Sequence, residues 1–255
     1  MPGGRRTRDA KLPADRAAPT SSGAAPRRIA LQAKRHDLSR TQLLDAAEVV
    51  FGDKGVHDAT IKEIAELAEY SVGSVYSYFS GKDDLIAAVM ARRGVEMMAG
   101  IEQITAGDGS PLQRLVELAC FEVGFFASRP AFARLYLRTA AVGPLVPDSM
   151  RATRGDVERA MSLTAGLMAR GQRCGEIAAG PPLVLARVLS GMVTAYQTVA
   201  SGGGPGALDG FGADQLAVLV VRAFGAPGGP ASIRTDRSDP WSVPAHVNEG
   251  GPHAR

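Results

Sequence analysis

Apolar residues recur along most of this chain at spacings of three and four, the period of a helix with one buried face. Leu43, Leu44, Ala47, Val50 and Phe51 form the first such stripe. Ser39 with Gln42 three residues on reads as a capping box before it, and Gly55 as a left-handed stop after it. A second stripe, Ile61, Ile64, Ala65 and Ala68, follows the box Thr60–Glu63 and breaks at Glu69. Ser71 can cap a third helix ending near Tyr78, and Ser80 with Asp83 a fourth that turns Leu85, Ile86 and Val89 inward. Further helices are predicted over 112–126, 132–141, 150–173, 183–200 and 215–224. Gly- and Pro-bearing breaks separate them at 107–111, 129–130, 143–147, 180–182 and 202–205. No strand pattern competes, so the expected fold class is all-α: an N-terminal three-helix domain followed by a larger helical domain.

The second and third helices are short and joined by a few residues, the layout of a helix-turn-helix whose second helix enters the DNA major groove. At about 100° per residue, Val72, Val75 and Phe79 fall on one side and face the core. Gly73, Ser74 and Ser77 point away, small enough for close approach to base edges. Tyr76 and Tyr78 lie on the flanks, where a ring can lean on the domain while its hydroxyl reaches a phosphate. Lys82 opens the fourth helix, a cation beside N-terminal amides that suits a phosphate.

Charge changes this picture. Residues 1–40 hold ten Lys/Arg against three Asp, a net +7, whereas the whole chain carries only +3. The same stretch is rich in Pro, Gly, Ala and Ser without apolar periodicity, so 1–37 reads as a disordered basic arm, with Arg40 at its end. Residues 226–255 have the same composition and read as a disordered tail. Residues 41–85 carry three lysines against nine acids, leaving little positive charge for phosphate contact unless the arm supplies it.

The chemistry of an enzyme is not visible. The four histidines are scattered, and none stands at metal or triad spacing from Cys, Ser or carboxylates. Gly202–Gly206 lacks the Lys-Ser/Thr of a phosphate loop. Cys120 and Cys174 read as buried thiols. No cofactor or metal is expected. No uninterrupted run of about 18 apolar residues marks a membrane span, and the Arg-rich start lacks the apolar core of a secretory signal, so a cytoplasmic protein without membrane contact is expected.

The stretch TIKEIAELAEYSVGSVYSYFSGKDDL, with its Thr-x-x-x-Ile-Ala start, Ser-x-Gly-x-Val-Tyr-x-Tyr-Phe helix and Lys-x-x-Leu opening, resembles the TetR family of transcriptional regulators over about residues 39–90. The resemblance implies that Thr60 and Lys82 contact phosphate, that Lys62 reaches phosphate or a base, and that Tyr76 and Tyr78 grip the backbone. Gly73 and Ser74 would lie over the bases, with Ser71 and Ser77 beside them. It implies domains at 38–85 for DNA binding and 86–225 for effector binding and dimerisation. The homodimer would form through helices near 183–200 and 215–224, where Gly191 and Ala195 permit close approach, on a double-stranded palindromic operator. A repressor responsive to a small-molecule effector is the expected function. An activator, or a helical small-molecule-binding dimer with weak DNA contact, are the alternatives. Phe121, Phe125, Tyr136, Met161, Met168 and Met192, with Met97 and Met98, are the candidate pocket residues. One departure stands out: Glu69 occupies the turn position where the family usually has Gly, so a strained or reshaped turn is expected.

Overall fold

The computed structural model describes residues 24–141, 151–202 and 211–227, with side chains from residue 31 onward except near the two gaps. The arm up to residue 23, the breaks at 143–147 and 203–205 and the tail from 228 lie outside the described residues. The helices are α1 (Ala24–Lys54), α2 (Ile61–Leu67), α3 (Val72–Tyr78), α4 (Lys82–Ala106), α5 (Pro111–Ala127), α6 (Pro130–Ala141), α7 (Arg151–Arg173), α8 (Pro182–Gly202) and α9 (Ala213–Phe224). The expected all-α class holds. The described residues form no strand, only one antiparallel bridge between Ile177 and Gly225.

The chain divides into two compact units, residues 1–40 and 41–255. Within the first, helix runs from Ala24, which corrects the expected start at Ser39 and the expected disorder through residue 37. Ser39 is a helix-interior residue, not a cap. The physical reason is composition: Ala, Leu, Gln, Lys and Arg dominate 27–38, all good helix formers, and Pro26 lies in the first turn, where a missing N–H costs nothing. Leu31 and Leu38 are exposed, so no apolar stripe announces the extension.

Within the second unit, Leu43, Leu44, Ala47 and Phe51 of α1 are buried against Ile64, Ala65, Val75 and Phe79. Gly55 at φ 82° ends α1, its N–H donating to the Phe51 carbonyl. α4 runs unbroken for 25 residues across the expected domain boundary at 85–86. Its N-cap is Gly81, not Ser80, and Asp84 rather than Asp83 reaches back to accept from the Ser80 N–H at 2.9 Å.

α5 is the central helix. Its buried residues include Leu112, Leu115, Leu118, Phe121 and Phe125, and α4, α6, α7, α8 and α9 all pack on it. Gly100 of α4 makes room for Phe121, because a Cβ there would stand 2.1 Å from the Phe121 Cζ. Cys120 is half-buried, with its thiol pushed up to about 11, chiefly by burial. Cys174 is exposed, a correction to the reading of both thiols as buried.

Candidate nucleic-acid interface and effector cavity

α2 starts as its sequence dictates. The Thr60 side chain accepts from the Glu63 N–H at 3.2 Å, while the Glu63 carboxylate accepts from the Thr60 N–H at 3.0 Å. Lys54 also pairs with Glu63, and these contacts hold the Glu63 carboxyl down at about 2. α2 ends in a Schellman motif: the Glu69 N–H donates to the Glu66 carbonyl at 3.2 Å and the Tyr70 N–H to Ala65 at 2.9 Å. Glu69 takes φ 61°, the only non-glycine residue with positive φ among those described. The strain expected there is present. Tyr70 secures the turn, its ring against the core and its hydroxyl donating to the Gln42 side chain at 2.7 Å.

Ser71 caps α3 as expected, accepting from the Ser74 N–H at 3.0 Å. Val75 and Phe79 anchor α3 inward, but Val72 is exposed, correcting its assignment to the core. Val72 is the first residue of a seven-residue helix, where the chain is still diverging from the domain. Gly73, Tyr76 and Ser77 are exposed and Ser74 and Tyr78 half-buried. Tyr78 leans its ring toward Phe79, 6.5 Å between centroids. The outward face of α3 is thus small and polar, flanked by phenols, with a Cβ on Gly73 meeting nothing closer than the Ser71 hydroxyl at 3.9 Å.

Lys82 departs from expectation. Its Nζ donates to the carbonyls of Val56, His57 and Ala59 at 3.0, 2.8 and 2.9 Å, so its three N–H donors tie α4 to the loop between α1 and α2. Lys62 is exposed and lies 3.7 Å from Glu66 one turn on. Arg40 falls in the other unit, and Lys34 and Arg35 beside it are exposed on the α1 extension.

Above α4 a cavity opens between α4, α5, α6, α7 and α8, with an empty volume of about 730 Å³ including its open mouth. Of the expected residues, Tyr136 and Met161 line it, as do Met97 and Met98. Phe121, Phe125, Met168 and Met192 do not; Phe125 and Met168 are sealed in the core. The aromatic wall is instead Phe126, Phe132 and Tyr136, with Phe126 stacked on Phe132 at 5.7 Å and 5.0 Å from Tyr136. On α5, buried on nearly every side, periodicity cannot tell a core position from its cavity-facing neighbour.

Sequence reasoning missed the polar groups of this cavity. Glu122 opens onto it, and burial pushes its carboxyl up to about 7. Gln197 is almost wholly buried, with no hydrogen-bond partner for its Nε2. Arg93, also in the lining, donates to Glu48 of α1 at 2.7 Å and to Glu96 at 2.9 Å, and Arg129 pairs with Glu96 at 3.1 Å. Arg92 joins Glu48 and Asp45. One cavity-lining side chain thereby holds α1 directly.

A short, outward-facing, polar second helix on a three-helix support is the helix-turn-helix arrangement, here followed by a helical domain with a cavity. The comparisons agree. The family described as bacterial regulatory proteins, tetR family, matches residues 43–89. The activator FasR of Mycolicibacterium smegmatis is 39% identical over 79 residues, 31% of this chain and 36% of that protein. The repressor BepR of Brucella suis biovar 1 is 29% identical over 147 residues, 55% of this chain and 69% of that protein. In fold, a TetR-family regulator from Agrobacterium tumefaciens superposes with a TM-score of 0.64 over 74% of this chain and 99% of its own, at 17% identity. Over residues 43–89 the chain is similar to the TetR family of transcriptional regulators. Its match to FasR spans about a third of that protein's length.

Proposed function

We propose that this chain is a cytoplasmic, ligand-responsive repressor that binds a palindromic operator as a homodimer. The observation that carries the reading is the outward face of α3. Val75 and Phe79 fix the helix from behind, and Gly73, Ser74 and Ser77 leave its front low enough to approach base edges, with Tyr76 and Tyr78 placed for phosphates on either flank. Thr60, Ser71 and Lys62 add contacts from the ends of α2 and α3, and Arg40 from the basic extension. Lys82 contributes by holding the loop before α2 in place.

The outer surface of α8 and α9 supports the dimer. Val184, Val188, Gly191, Ala195 and Val199 form an exposed stripe along α8, and Val218 and Leu219 are exposed on α9. By length and apolar composition α8 could cross a membrane, yet Arg187 is exposed along the same stretch and Ala186, Leu189, Val193 and Gln197 are buried within the domain. A second copy of the same surface is the occupant that covers this face in a family of symmetric regulators, and two readers then match two half-sites. The cavity supplies the effector site, and Arg93 couples it to α1.

The test is a mobility-shift and footprinting experiment with the purified protein and the promoter DNA beside its own coding region. A protected palindrome bound by a dimer, and loss of binding when Tyr76 and Tyr78 are both replaced by Ala, is the expected result. Equal affinity for that promoter and unrelated DNA would overturn it.

A further inference from the structure

The cavity carries a chemical signature of its own. Its aromatic and thioether wall asks for an apolar body, yet the Glu122 carboxyl opens onto it from α5, and among the described residues no cation pairs with it. Asp156 of α7 adds a second carboxylate, its Oδ2 2.8 Å from where a Cβ on Gly94 would stand. The one arginine in the lining is committed elsewhere, to Glu48 and Glu96. Gln197 is 4% exposed, with its Nε2 unpartnered in the same wall. Buried groups of this kind are costly unless something completes them.

We propose that the effector is an amphipathic monocation, an amine on an aromatic or aliphatic body, whose positive charge is neutralised by Glu122 while the body rests against Phe126, Phe132 and Tyr136. This rests on the reading of the cavity as the effector site. An anion meets two carboxylates with no free cation among the described lining residues to offset them. A neutral apolar ligand leaves the Glu122 carboxyl without a partner. An ammonium gains a desolvated ion pair and the faces of the aromatic wall together. The Gln197 carboxamide supplies either a donor to a ligand oxygen or, turned over, an acceptor for an amine N–H.

Three probes share one body and differ only at the end group: 4-phenylbutylamine, 4-phenylbutanol and 4-phenylbutyrate. Calorimetric titration into the full-length protein at pH 8 is expected to rank the amine at least tenfold tighter than the alcohol, with the carboxylate weakest. In Glu122→Gln, checked for a cooperative melt, the amine should fall to within about threefold of the alcohol. The wild-type ranking stands without that variant, and Gln197→Leu should weaken the amine while keeping it ahead of the alcohol. Binding of amine and alcohol with equal affinity, or the carboxylate ahead, overturns the cation assignment and leaves an effector cavity standing. No binding by any of the three overturns both.

Discussion

Replacing Lys82 separates two accounts of the same residue. Lys82→Met keeps most of the aliphatic stem and removes the ammonium that holds the carbonyls of Val56, His57 and Ala59. Hydrogen bonds to a charged donor contribute about 1.5–3 kcal/mol each where solvent is excluded. Lys82 is only half-buried, and water can replace some of what is lost, so the net cost should be about 2 kcal/mol for the three together. For a chain of 255 residues that lowers Tm by about 4–8 °C. If the ammonium neutralised a phosphate instead, the slope of log affinity against log salt would lose about 0.9 per protomer, with stability unchanged. The structural reading expects the Tm shift and an intact salt slope for operator binding, measured on the same preparation. A slope reduced by about two per dimer with Tm unmoved would refute it.

Glu69→Gly should raise stability by about 1 kcal/mol, read by thermal or urea unfolding, because glycine takes φ 61° without the penalty carried by an L side chain. The Glu122 carboxyl moves from 4.5 to about 7 on folding, so the native state holds the extra proton between those values. Its contribution is full below pH 4.5 and is lost as pH rises through 7, by about 3 kcal/mol at most. Glu122→Gln should flatten that part of the stability–pH curve, and an unchanged curve would contradict the burial. Deleting residues 1–35 should flatten the salt dependence of DNA binding by several units per dimer if the basic extension contacts phosphates, and leave it unchanged if it does not.

Most helix ends were legible because Gly, Pro and capping residues mark them. The expected 183–200 and 215–224 lie inside α8 and α9. Thr60–Glu63 and Ser71 formed the caps their spacing implies. The start of α1 was illegible because residues 31–38, all exposed, leave no periodic trace; only propensity spoke for it, against a Pro/Gly-rich neighbourhood. The contacts of Lys82 within the chain were not legible, because its partners lie 23–26 residues earlier, in a loop with no pattern of its own. The cavity was half legible: aromatics and methionines were recognisable as a class, but one position on α5 separates sealed Phe125 from cavity-facing Phe126. Glu122 had no signal at all, since a lone acid on a helix ordinarily faces water.

The unbroken course of α4 makes it a lever arm. From Ile101, at the cavity, to Lys82, beside the helix-turn-helix, it spans 19 residues, or about 28 Å at 1.5 Å per residue. A tilt of about 10° about its cavity end swings the Lys82 end through roughly 5 Å. Base pairs stack 3.4 Å apart, so that swing amounts to about one and a half base steps on each side of a two-fold axis. If the chain acts as proposed, a stiff helix with its pivot beside a ligand would need no large rearrangement to take two readers out of register with their half-sites.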